Sequence, residues 1–342
     1  MQALLLTEYK KLDLVQMPEP EIAADEVLIR VRACGICGSD VHGFDGSTGR
    51  RIPPLVMGHE AAGVVERFGA AVRDLAPGDR VTFDSTIYCG QCYYCSRGAV
   101  NLCDNRQVMG VSPGPYRRHG AFAEFVAVPR RIVYRLPDSL SFEQAALIEA
   151  ASVAVHAVTI TPVAIGDTGV VVGAGMIGVL AVQALRQAGC GQVIAIDLVD
   201  SRLEMARAAG ATETLDAATD VAAAVLERTE GRGAAVAVEC VGAEPSVRTA
   251  IACVRKGGAV TLVGNVTPEV KIPLQEVVTR QIRLQGSCAS CGEYPAVIAL
   301  MAVGAIRVDP LITAVAPLAE GPSWFDRLYR REPGLMKVIL RP

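Results

Sequence analysis

A run of small apolar residues, Thr168-Gly-Val-Val-Val172, passes without a spacer into Gly173-Ala-Gly-Met-Ile-Gly178, and this junction restricts the fold more than any other stretch of the chain. The glycines have the G-x-G-x-x-G spacing, after a strand-like run and before a helical pattern from Val179 to Ala188. A second strand-like run, Val193 to Ile196, ends in Asp197, at the distance of about 20 residues that this motif requires of its acid. The glycine spacing alone is a weak signal, but in this setting each part has a task. Gly173 admits a tight turn, Gly175 lets backbone N–H groups at a helix N-terminus approach a pyrophosphate, and Gly178 lets the helix pack closely on the strand. Met176 and Ile177 belong to the same turn and are expected against the cofactor. Asp197 is placed to accept hydrogen bonds from a ribose, where a 2′-phosphate would meet like charge, so NAD is expected over NADP. Arg202, five residues on, is expected to contact that ribose, the alternative being that it accommodates a 2′-phosphate. The strand-like segments Ala235 to Glu239 and Ala259 to Val263 lead to Gly242 and Gly264. Their ends, with Val241, Val263 and, further on, Cys288, are expected to line the crevice.

A doubly wound parallel domain of this kind occupies only part of 342 residues, and a hydrophobic content of 51% allows a second buried core. Residues 1 to about 135 supply it as short β-like runs, Glu26 to Arg32, Gly63 to Phe68, Asp79 to Phe83 and Ala123 to Val128, separated by turns such as Ala76-Pro-Gly-Asp79. This half reads as a β-rich, barrel-like domain. The net charge of −3 gives no basic footprint for nucleic acid or an anionic membrane surface, so a small-molecule partner is expected. The first ten residues lack the pattern of a secretory leader, and the apolar runs Ala145 to Val158 and Gly169 to Leu185 are broken by Glu149 and His156 or by glycine. A cytoplasmic protein without membrane spans is the expectation.

Eleven cysteines in such a chain point to metal or reduced thiols rather than disulfides. Cys89, Cys92, Cys95 and Cys103 fall in a C-x2-C-x2-C-x7-C pattern that can close a tetrahedral, structural zinc shell; a redox pair or chance cluster is the alternative, and an iron–sulfur cluster does not suit the spacing. A second set, Cys37 with His59 and Glu60, offers sulfur, nitrogen and oxygen donors in glycine-punctuated segments, as a catalytic zinc with an open position needs. Ser39, two residues after Cys37, is placed to take a proton from a zinc-bound oxygen, and His42 to pass it to solvent. Ser141 and Gln144 make a capping box that opens a helix to about Thr159. Glu149, in an apolar stretch of that helix, needs a cationic partner and is read as a further carboxylate that approaches or ligates the zinc during turnover. Which of Glu60 and Glu149 ligates at rest stays open.

Gly35-Ile-Cys-Gly-Ser-Asp-Val-His42, Gly58-His-Glu-Ala-Ala-Gly-Val-Val65, Pro77-Gly-Asp-Arg-Val81, the four-cysteine lobe, Gly173 to Gly178 and Asp197 together resemble the zinc-dependent medium-chain dehydrogenase/reductase family, in its polyol branch of sorbitol and threonine dehydrogenases. The resemblance covers nearly the whole chain. It implies a GroES-like catalytic domain from residues 1–152 and 286–342, a Rossmann domain at 153–285, two zinc ions, and a catalytic cleft at the domain junction. It also implies a homotetramer or homodimer and an NAD-dependent dehydrogenase acting on the CH–OH group of a secondary alcohol or polyol. Gly43 stands where sorbitol dehydrogenases usually carry an aromatic residue, Ala289-Ser290 where they carry Arg-Tyr, and Ala150 where a proline follows the glutamate. A roomier or more apolar pocket than one for sorbitol is therefore expected. Two other classes stay open on sequence: a zinc-free NADP-linked reductase of the same superfamily, to which Cys37, His59 and the lobe are foreign, and a non-catalytic dinucleotide-binding protein.

Overall fold

Alternation of apolar and polar residues in the first third of the chain produces antiparallel strands, each with a buried face. In the computed structural model, which describes residues 1–112 and 117–342, β1 (Gln2–Glu8) and β2 (Lys11–Gln16) form a hairpin. β3 (Glu26–Gly35) follows, then β4 (Leu55–Val56), which pairs with β1, and β5 (Glu60–Phe68), which runs antiparallel to β3. β6 (Arg80–Phe83) extends from β5; β7 (Thr86–Ile87) pairs with β8 (Gln107–Val108); β9 (Phe125–Pro129) joins β3, and β10 (Val133–Arg135) joins β6. The pairing of β3 with β5 sets Gly35 opposite Glu60. The end of one strand and the start of the next thus deliver the Cys37 and His59 turns to the same edge of the sheet.

The central part of the chain has the βα rhythm, and its strands are parallel throughout. β11 (Thr168–Val172), β12 (Gln192–Asp197), β13 (Glu213–Asp216), β14 (Ala234–Glu239), β15 (Val254–Leu262) and β16 (Arg283–Gly286) lie in the order β13-β12-β11-β14-β15-β16. The order reverses between β11 and β14, the switch point at which doubly wound sheets bind ligands outside the strands' carboxyl ends. The inner strands β11, β12 and β14 are largely apolar runs, every residue of β14 being buried, as expected where helices cover both faces of a sheet. Beyond it, β17 (Ile312–Pro317) pairs in parallel with β18 (Lys337–Arg341), and β18 pairs antiparallel with β3. The late chain thereby returns to the first sheet.

The chain falls into two compact units, Met1–Glu149 with Tyr294–Ala302 and Val308–Pro342, and Ala150–Glu293 with Val303–Arg307. The fold class expected from sequence, a β-rich GroES-like part and a parallel Rossmann sheet, is the one observed. One element differs. The capping box of Ser141 and Gln144 is present, but the helix it opens spans only Phe142–Ala146; Leu147, with ψ of 0°, interrupts it, and a second helix runs Ile148–Thr159.

In the Rossmann unit Gly173 has a φ of +93°, and a Cβ on Gly178 would stand 1.8 Å from the Gly173 carbonyl oxygen. Backbone cannot retreat from such a contact as a side-chain tip can. Gly178→Ala is expected to cost about 1–3 kcal/mol, the range for overpacking a tight site, and to weaken dinucleotide binding. Thermal unfolding with and without NAD checks both effects.

Candidate metal centre and dinucleotide turn

After β3 the chain turns into a short helix, Gly38–Gly43, whose N-cap is Cys37; the Cys37 Sγ accepts from Ser39 N at 3.5 Å and from Ser39 Oγ at 3.3 Å. His59 precedes β5 and Glu60 begins it. The donor atoms of Cys37, His59 and Glu60 all lie within 4.8 Å of one another. Ligands of a tetrahedral zinc at about 2.0–2.3 Å stand roughly 3.3–3.8 Å apart, so small side-chain adjustments fit this set to the ion. His59 and Glu60 are buried while Cys37 is partly exposed, so the cluster is backed by protein on one side and accessible on the other.

Two buried ion pairs support the cluster. Lys337 Nζ pairs with Glu60 Oε2 and donates to Ile36 O at 3.1 Å. Burial works against the Lys337 charge, but Glu60 and Cys37 outweigh it and raise its pKa. Asp40, fully buried, accepts from Arg51 Nε at 3.1 Å and Nη2 at 2.9 Å and lies 3.5 Å from His59 Nδ1. Burial alone would raise the Asp40 carboxyl; the His59 and Arg51 charges hold it at about 2. Burial likewise opposes the charged form of His59, yet Asp40 and Cys37 push its pKa well up. A metal therefore has to displace a proton from this imidazole, with Asp40 then orienting the ring as a carboxylate behind a ligating histidine does. Among the described residues His59 Nδ1 and Asp40 Oδ2 are buried without a hydrogen-bond partner, a condition costing roughly 1–3 kcal/mol per atom, which a small turn of the ring towards Asp40 would relieve when the other ring nitrogen holds an ion. The residues fit zinc.

Glu149 lies outside the set of donors within 4.8 Å. Its carboxylate accepts from Ser85 Oγ at 2.9 Å, and burial raises its pKa, partly countered by His59. Ser39 and His42 are both exposed. Ser39 Oγ donates to Cys37 Sγ and accepts from Arg51 Nη2 at 3.2 Å; among the described residues no hydrogen bond joins the Ser39 and His42 side chains.

The four lobe cysteines also bring their sulfurs within 4.8 Å of one another. Backbone N–H of Gln91 draws Cys89 down to about 6 and that of Cys95 lowers Cys92, whereas burial and the neighbouring thiols push Cys95 up to about 12. Four sulfurs this close cannot all carry charge unless a cation sits among them. The lobe supplies a closed thiolate shell with no position for a substrate.

Within the Rossmann unit the helix Met176–Gln187 starts at Gly175, and the Asp197 carboxylate accepts from Ala174 N at 2.7 Å and Val199 N at 3.0 Å. Arg202 lies 3.8 Å from Asp197 and is half exposed. The turns after β14 and β15 converge on Glu239. Its carboxylate accepts from Val241 N and Gly242 N, and its carbonyl oxygen from Val263 N and Gly264 N. Cys288 follows β16 and is partly exposed.

Residues 23–138 match the alcohol dehydrogenase GroES-like domain and residues 177–303 the zinc-binding dehydrogenase domain. Sorbitol dehydrogenase of Bacillus subtilis is 33% identical over 100% of this chain and 97% of its own length. The chain belongs to the zinc-containing medium-chain dehydrogenase family. D-xylulose reductase A of Aspergillus niger is 36% identical over 94% of this chain and 91% of its own length. The crystal structure of 2R,3R-butanediol dehydrogenase from Bacillus subtilis superposes with a TM-score of 0.89 at 31% identity, covering 100% of this chain and 99% of that one. As a member of this family the chain is a zinc-dependent alcohol or polyol dehydrogenase that uses a dinucleotide.

Five residues that support these sites had no role on sequence: Asp40, Arg51, Ser85, Glu239 and Lys337. Asp40 was visible inside the Gly35 to His42 motif, and Glu239 as an acid ending an apolar strand. The remaining three carry no local signal.

Proposed function

We propose that the chain interconverts secondary alcohols, diols or polyols with the corresponding ketones, using NAD as hydride acceptor. The convergence of Cys37, His59 and Glu60 on one accessible point carries this reading. Zinc held there by Cys37, His59 and Glu60 would supply Lewis acidity towards a substrate hydroxyl, and NAD would supply the hydride acceptor. Ser39 accepts the hydroxyl proton, and His42, exposed on the same short helix, passes it to solvent. Glu149, which accepts from Ser85, is the further carboxylate that would approach a zinc at the cluster during turnover. Asp197 presents a carboxylate already fixed by two backbone N–H groups, which suits the ribose hydroxyls of NAD and repels a 2′-phosphate. Relatives named for sorbitol, xylulose and butanediol share secondary hydroxyl chemistry. A homo-oligomer is part of the same reading.

Zinc-loaded enzyme assayed by NADH absorbance on C3 to C6 alcohols, diols and polyols is expected to prefer a secondary alcohol or diol and NAD. Asp197→Ala should raise KM for NAD by about tenfold or more and narrow the preference over NADP. Equal use of both dinucleotides by the wild type, unchanged in the variant, contradicts the assignment of Asp197.

A further inference from the structure

Arg51 is almost wholly enclosed, with 4% of its side chain exposed, yet it reaches an exposed serine. Its Nη2 bridges two acceptors, Asp40 Oδ1 at 2.9 Å and Ser39 Oγ at 3.2 Å, while Nε holds the same Asp40 oxygen at 3.1 Å. The stem takes space that residue 43 leaves open. A Cβ on Gly43 would lie 2.3 Å from Arg51 Cγ and 3.1 Å from Arg51 Cβ. These are the near atoms of the side chain, which cannot swing away while the guanidinium stays on Asp40. Gly43, Asp40 and Arg51 therefore form one arrangement whose outer end is the Ser39 hydroxyl.

We propose that Arg51 is a positioning residue for proton transfer at Ser39. A hydroxyl has one proton to donate and two lone pairs to accept with. Arg51 occupies one lone pair and the O–H points at Cys37 Sγ, so a single lone pair remains to receive a proton from a substrate hydroxyl. As that proton arrives, the exposed Ser39 turns its own O–H from Cys37 Sγ and releases the proton to solvent, where His42 can take it up, and Arg51 keeps all its protons throughout. A cationic donor on the oxygen also polarises the O–H bond and makes the release easier. Lysine cannot replace this geometry, because one ammonium lacks the planar fork that serves two acceptors in fixed directions. The inference rests on the reading of Ser39 as the proton-handling hydroxyl.

The test is a double-mutant cycle on the full-length zinc enzyme. Arg51→Lys is expected to keep the zinc content and thermal stability close to wild type while kcat falls about tenfold, as for loss of one hydrogen bond to a charged group. KM for NAD should not move. In a Ser39→Ala background the same substitution should have no further effect on kcat. Gly43→Ala, which displaces Arg51 without removing it, should lower kcat similarly. After chelation of the zinc, alkylation of Cys37 by iodoacetamide, followed by peptide mass, should quicken a few-fold, on the order of the loss of one weak hydrogen bond, in Arg51→Lys but not in the Ser39→Ala background. If Arg51→Lys does not fold, Gly43→Ala, which keeps the guanidinium, takes its place in the cycle. A drop in kcat of equal size with and without Ser39, or no drop at all, overturns the proposal for Arg51 while leaving Ser39 intact. If Ser39→Ala alone leaves kcat unchanged, the proton-transfer reading of Ser39 fails, and the role of Arg51 with it.

Discussion

Cys37→Ala should lower kcat/KM by about four orders of magnitude or more and reduce the zinc content from two ions per chain to one, corresponding to the two donor clusters. The magnitude follows from what the ion supplies: without it a substrate hydroxyl must lose its proton near the pKa of an ordinary alcohol, far above neutrality. The lobe sulfurs share no residue with the Cys37 cluster, so the second zinc and the fold should persist. Dinucleotide binding should also persist, because the glycine turn and Asp197 belong to the other compact unit. Metal analysis, steady-state rates and NADH fluorescence titration report these quantities separately. Unchanged zinc content, or loss of dinucleotide binding in parallel with the rate, contradicts the assignment of Cys37 as a catalytic ligand.

Lys337→Met should destabilise the zinc-free protein by about 3–5 kcal/mol, the usual consequence of leaving one member of a buried ion pair unpaired. The side chains of Lys337 and Glu60 are only 3% and 1% exposed, so water cannot compensate. Zinc can. In the loaded protein the ion replaces the ammonium as counter-charge to Glu60, and the loss should be smaller. Adding Glu60→Gln to Lys337→Met should recover much of the stability in the zinc-free form, since the stranded charge is then gone. Urea unfolding of the single and double variants, with and without zinc, measures all of these. An equal loss in both metal states would mean that Glu60 does not face the ion.

The parts of the site that were legible in the sequence are those whose chemistry imposes a local spacing. The glycine turn must form within six residues of one strand end, and the lobe cysteines must reach one ion from one loop, so both leave a pattern in neighbouring residues. Counter-charges obey no such rule. Arg51 meets Asp40 across 11 residues, and Lys337 meets Glu60 across 277, through pairings that exist only once β18 lies beside β3. Any buried cation of suitable length would satisfy those carboxylates, so the sequence shows the need and not the source. The helix after Ser141 was overextended for a related reason: the capping box marks a start, whereas the break at Leu147 leaves no proline or glycine to mark it.

The placement of Lys337 on β18 also bears on the order in which the molecule is made. During synthesis the stretch carrying Cys37, His59 and Glu60 leaves the ribosome long before Lys337. All of Ala150–Glu293, whose strands need no partner from outside that stretch, emerges in between. The Rossmann unit can therefore fold while the first sheet still has an open edge on β3 and Glu60 lacks its ammonium. In that interval a metal ion held by Cys37, His59 and Glu60 would supply the counter-charge that Lys337 later gives Glu60. Zinc captured early would act as a temporary placeholder for the lysine, and scarcity of zinc would prolong the aggregation-prone stage of the nascent chain before it impaired the finished enzyme.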